Sequence, residues 1–151
     1  MHVIIQPPIV IIMQAADPIS EGTSMAVLDH AALHVEDLDA VCAFYTTHLG
    51  ATQGAGYHNP RTGLRTYFLS FEGGGRLEVM TRPGYDRPRD ERALGYHHVA
   101  FHLGSRDAVD AFVQRLRDAG IEPVDGPRVT GDGYYEAVVL DPEGHRVEVV
   151  G

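Results

Sequence analysis

Several ingredients are scarce in this chain of 151 residues. It has one cysteine, Cys42, no tryptophan, and only 12 Lys and Arg against 21 Asp and Glu. A single thiol rules out an intrachain disulfide and fits a reducing, cytoplasmic setting. The formal charge of −9 argues against nucleic acid and anionic membranes as partners. No hydrophobic run is long enough to span a bilayer: the apolar start, MHVIIQPPIVIIMQ, is split by Pro7 and Pro8. What is present is ordinary for a globular domain, with 44% hydrophobic and 22% charged residues.

Residues 1–24 read as an N-terminal extension or linker without a catalytic role. The alternative is an added edge strand drawn from the β-branched residues at 3–5 and 9–12. A single domain then runs over 25–151, and it contains the same pattern twice. GYHHVAFHL (95–103) read as a strand sends Val99, Phe101 and Leu103 to one face and His98, Ala100 and His102 to the other. LDHAALHV (28–35) sets His30, Ala32 and His34 against Ala31, Leu33 and Val35. His30 and His98 lie 68 residues apart, as do His34 and His102.

The remaining elements fall into the same rhythm. A helix is expected over 37–49 with Val41, Phe44, Tyr45 and Leu49 inward, Gly50 as its stop and Cys42 outward. Strands follow at 64–71 and 76–80 across the turn at 73–75. The charged connection at 81–94 joins module one (25–83) to module two (94–151). A second helix opens at Ser105, buries Val109, Phe112, Val113 and Leu116, and stops at Gly120. Strands at 134–140 and 146–150 flank the turn DPEG at 141–144. Each module has one weakly marked middle strand, near 51–57 and 121–129. The expected fold is therefore α+β: two tandem βαβββ modules with one helix each on the outer face, the other sheet faces forming a cup.

In RLEVM (76–80), Leu77 and Val79 take the helix side and leave Glu78 on the cup face; in RVEVV (146–150) the same holds for Glu148. Two histidines and two carboxylates are thus expected in one concavity. Ionisable groups brought together out of water need partners. Two imidazoles and two carboxylates suit a divalent cation: Ni, Zn, Co, Mn or Fe.

HAALHVEDLDAVCAFYTTHLG, RLEVM, HHVAFHL and LDPEGHRVEVV together resemble the vicinal-oxygen-chelate superfamily of glyoxalase, bleomycin-resistance and dioxygenase proteins, over about residues 27–151. The resemblance implies a curved sheet around a metal held by His30, Glu78, His98 and Glu148. This ligand set is most similar to bacterial glyoxalase I, a lyase acting on a thiol–methylglyoxal hemithioacetal. It implies a small substrate with vicinal oxygens, a Lewis-acid metal that stabilises an enediolate, and proton transfer by Glu148, with Glu78 as a second candidate. His34, His102 and Tyr135 are candidate substrate contacts, and Tyr134 is placed with Tyr135 over the cup mouth. A homodimer is expected, with cups formed either within one chain or between two. The alternatives are a non-haem iron ring-cleaving dioxygenase and a non-catalytic binding protein of the bleomycin-resistance kind.

One position departs from the glyoxalase I pattern. Where that family typically grips a glutathione carboxylate with arginine, this chain has His34. Losing a charge-assisted hydrogen bond forfeits ~1.5–3 kcal/mol, which corresponds to about ten- to more than hundredfold in kcat/KM. The protein should therefore be a poor enzyme for the glutathione hemithioacetal of methylglyoxal, and His34→Arg should improve it. Steady-state kinetics on nickel- and zinc-loaded protein test this. An unmodified enzyme already at ~10⁴ M⁻¹s⁻¹ or above, with no gain from the variant, contradicts it.

Overall fold

The computed structural model describes residues 28–85 and 95–151. The expectations for the N-terminal segment, and for most of the 81–94 connection, lie outside the described residues. Module one consists of β1 (Ala31–His34), α1 (Leu38–Leu49), β2 (Thr52–Gln53), β3 (Tyr57–His58), β4 (Arg65–Ser70) and β5 (Arg76–Thr81). Module two repeats the plan with β6 (His98–His102), α2 (Arg106–Asp118), β7 (Asp125–Val129), β8 (Tyr135–Leu140) and β9 (Arg146–Val150). The sheets run β1-β5-β4-β2, with β3 also on β4, and β6-β9-β8-β7. In each module the first and last strands pair in parallel and the remaining pairs are antiparallel. The two-module α+β architecture is that expected from the repeat.

The weakly marked middle strand of module one divides into β2 and β3. Between them the backbone runs close to β4: a Cβ on Gly54 would lie 3.3 Å from the Phe68 carbonyl, and one on Gly56 would lie 2.6 Å from the Tyr67 ring. Glycine permits that approach.

Each helix covers one sheet face. Val41, Phe44 and Tyr45 of α1 share a core with Leu69, Leu77 and Val79; Val109, Phe112, Val113 and Leu116 of α2 share it with Ala137, Val139, Val147 and Val149. Asp37 caps α1 through its carboxylate on the Ala40 N–H at 2.9 Å, and Gly50 ends it in the left-handed region at φ 68°. Ser105 caps α2 in the same way.

Among the described residues, the modules touch through aromatic rings and through the β8–β9 turn. Phe101 of β6 lies 4.8 Å from Phe71 and 6.3 Å from Tyr45, centroid to centroid. The Glu143 carboxylate, in the β8–β9 turn, accepts the Glu36 N–H at 2.7 and 2.8 Å and also the Asp37 N–H. A carboxylate from module two thus satisfies open N–H groups at the start of α1, where the helix dipole favours negative charge. Buried Asp141 steadies that turn by accepting from the Glu143 and His145 backbone N–H groups and pairing with the His145 ring.

Cys42, expected to face outward, is buried at 2% exposure. It lies on the helix face shared by Leu38, Tyr45 and Leu49, so the buried stripe is wider than the four expected positions. Burial, aided by the Asp39 charge, raises the thiol pKa to about 11. The folded protein should hold Cys42 protonated through the neutral and mildly alkaline range. Ellman's reagent at mildly alkaline pH should leave it unmodified in the native state and titrate one thiol per chain in concentrated guanidinium.

Candidate metal centre

The parallel pairing within each module brings a histidine to a carboxylate. In module one, Ala32 is the register partner of Glu78, and His30 lies just before β1 on the same face. The His30 Nε2 is 3.6 Å from the Glu78 carboxylate. Its Nδ1 lies 2.7 Å from the Asp29 carboxylate, and its ring sits edge-on to Phe68 at 5.1 Å. An Nδ1–H donated to Asp29 leaves the Nε2 lone pair aimed at Glu78, an orientation that suits a metal-bound imidazole. In module two, Ala100 is the partner of Glu148, and the His98 Nε2 is 3.7 Å from its carboxylate. Here the outer partner differs: the His98 Nδ1 lies 3.0 Å from the Nδ1 of His97.

Both pairs are part-buried, with the glutamate side chains 17% and 16% exposed and the histidines 35% and 37%. The 3.6 and 3.7 Å separations are longer than a hydrogen bond. A cation bonded at ~2.0–2.2 Å to a nitrogen and an oxygen holds them roughly 3–3.5 Å apart. Each pair is close to that spacing, so the residues fit a first-row divalent ion.

The four groups do not meet in a single cluster. Among the described residues, no group of three or more His, Cys, Asp and Glu side chains is placed to hold a metal. Within one chain the four residues stand as two matched His–Glu pairs, one per module. The reason is tertiary. The modules join through the aromatic contacts of Phe101 and the grip of Glu143 on α1, not by closing the two polar sheet faces on each other.

The other candidates separate. His34, at the end of β1, is exposed and stacks on Tyr85 at 4.4 Å, bordering a cleft of about 1330 Å³ also lined by Arg65, Glu143 and His145. His102 is exposed at the end of β6, on the face of His98. Tyr135 is a correction. It packs against the core, and its hydroxyl lies 2.5 Å from Asp110 of α2. That is the helix side of the sheet, opposite Glu148, and the hydrogen bond to Asp110 together with burial raises the Tyr135 pKa. Tyr134 is exposed.

Sequence reading missed a charged row on the module-two polar face. Buried Ala137 and Val139 direct Glu136 to the side of Glu148. Arg128 donates to both Asp125 oxygens at 2.6 to 3.1 Å and reaches Glu136 at 3.3 Å. Burial, followed by the nearby Glu148 charge, raises the Glu136 pKa, and Arg128 opposes the shift. The alternation in YEAVVL carried the signal for Glu136, by the same argument that located Glu148.

The comparisons with known proteins agree with the fold. Residues 27–149 match the family described as the Glyoxalase/Bleomycin resistance protein/Dioxygenase superfamily. The chain belongs to that superfamily. It is 36% identical over 125 residues to an uncharacterised protein of Pseudomonas aeruginosa, an alignment covering 80% of this chain and 85% of that one. It is 30% identical over 111 residues to an ethylmalonyl-CoA/methylmalonyl-CoA epimerase of Cereibacter sphaeroides, covering 70% and 75%. Among solved structures, a glyoxalase family protein from Enterococcus faecalis superposes with a TM-score of 0.70 at 26% identity, covering 83% of this chain and 97% of that one.

Proposed function

We propose that this superfamily member is a divalent-metal-dependent lyase or isomerase that moves a proton on a small substrate with vicinal oxygens. The matched pairs His30–Glu78 and His98–Glu148 carry this reading. His30 and His98 hold the cation through Nε2, with Glu78 and Glu148 completing the set. When bound, the cation supplies Lewis-acid polarisation of the substrate oxygens. Glu148 takes the proton from the substrate carbon and returns it to that carbon or its neighbour, with Glu78 as the alternative base. Similarity to an enzyme named as an epimerase supports proton removal and return as the reaction class.

Each subunit carries half-sites, so the active form in this reading is a homodimer. The His30–Glu78 pair of one copy faces the His98–Glu148 pair of a second, and each dimer then holds two complete sites. Metal affinity should fall more than about 100-fold in Glu78→Ala or Glu148→Ala, because a direct ligand should matter at least as much as its supporting groups.

Mixing the two variants tests the arrangement. A mixed dimer pairs both defects in one site and leaves the other intact, so after exchange at equal amounts about a quarter of the sites should regain tight metal binding. Elemental analysis with sedimentation measures this. A metal-bound monomer, or no recovery on mixing after exchange is verified, overturns the interchain site. Metal binding unchanged in a His98→Ala, Glu148→Ala double variant overturns the metal assignment itself.

A further inference from the structure

Duplication makes a comparison possible between two arginines at matched positions, Arg76 opening β5 and Arg146 opening β9. Both stand two residues before the candidate metal-ligating glutamate, on its face of the sheet. Arg76 is fully engaged: its guanidinium pairs with the Asp29 carboxylate and lies over the Phe68 ring at 4.8 Å. Module two has replaced both partners. The position matching Asp29 is His97, and the position matching Phe68 is Val138, register partner of Glu148 as Phe68 is of Glu78.

The Arg146 side chain has neither counterpart, and among the described residues its Nε is buried without a hydrogen-bond partner. Asp125 lies within electrostatic range, but Arg128 already holds both its oxygens. A buried guanidinium N–H without an acceptor is costly, and proteins rarely leave one so. In the parallel ladder Arg146 is the register partner of His98, which puts the unmatched cation beside the metal half-site.

We infer that Arg146 is a specificity-determining residue that binds a carboxylate carried by the substrate, taking the place that Asp29 fills against Arg76. A planar carboxylate matches the guanidinium fork. The substrate class narrows to a vicinal-oxygen compound bearing a carboxylate within reach of the His98–Glu148 pair. This inference rests on the metal-site reading above.

The test uses calorimetric titration of the zinc-loaded full chain with acetohydroxamate, which offers two vicinal oxygens and no carboxylate. The monohydroxamates of oxalate, malonate and succinate add a carboxylate at increasing reach. At least one of the three should bind about tenfold or more tighter than acetohydroxamate, as expected for a charge-assisted pair. Arg146→Gln should remove that advantage while leaving acetohydroxamate binding unchanged, and Arg146→Lys should restore part of it. Arg76→Gln should leave the advantage intact. His97→Asp, which recreates the module-one pairing at an exposed position, should remove it.

Thermal melts establish that each variant is folded before titration. No carboxylate advantage at any reach, or one that survives Arg146→Gln, overturns the assignment while acetohydroxamate still binds. Failure of acetohydroxamate to bind the loaded protein overturns the metal-site reading, and this inference with it.

Discussion

Parallel pairing of the first and last strand in each module is the constraint on which the polar face depends. An antiparallel β5 or β9 would be reached by a tight turn from its other neighbour, but the parallel contact with β1 or β6 needs a long crossover. The helix and the intervening strands supply it. The chain must therefore leave the first strand, cover one sheet face with a helix and return on the far side. Residues 46 to 48 positions apart are thereby placed side by side: Ala32 beside Glu78, His98 beside Arg146, and Ala100 beside Glu148. Apolar alternation then decides the faces. Leu77, Val79, Val147 and Val149 are buried under the helices, which leaves the glutamates between them on the open side.

Much of this was legible in the sequence. Alternation along 76–80 and 146–150 put Glu78 and Glu148 on the correct face, and the 68-residue offset matched His30 with His98. Helix boundaries followed from Asp37, Gly50, Ser105 and Gly120. The misreadings have distinct physical origins. Cys42 lies inside because a helix under a sheet buries a stripe broader than an i, i+3, i+4 pattern marks. Tyr135 shares the phase of Ala137 and Val139, and that phase outweighs the pull of its hydroxyl toward a polar cup. Whether a cup forms within one chain or between two is left open by the sequence, because it lies beyond local periodicity altogether. It depends on how one module docks on the other, and a few contacts decide that: Phe101 with Phe71 and Tyr45, and Glu143 with the start of α1.

The two modules keep one scaffold and have diverged on their polar faces. Module one is aromatic and internally paired there, through Phe68, Arg76 and Asp29. Module two is charged, with Arg128, Glu136 and Asp125 linked in a row and Arg146 outside that row. A site assembled from one face of each kind is asymmetric, although the backbone beneath it is nearly two-fold. Such asymmetry allows a repeated fold to distinguish one end of a small molecule from the other.

The Glu143 contact bears on how the chain comes apart. The acceptor for two N–H groups at the start of α1 belongs to the β8–β9 turn, so module one does not complete the hydrogen bonding at its helix start alone. Losing the fold of module two would bare the N-terminus of a helix in module one, and loss of α1 would strip cover from Leu69, Leu77 and Val79. Free energy shared across the junction in this way should couple the duplicated halves in unfolding, despite their separate sheets.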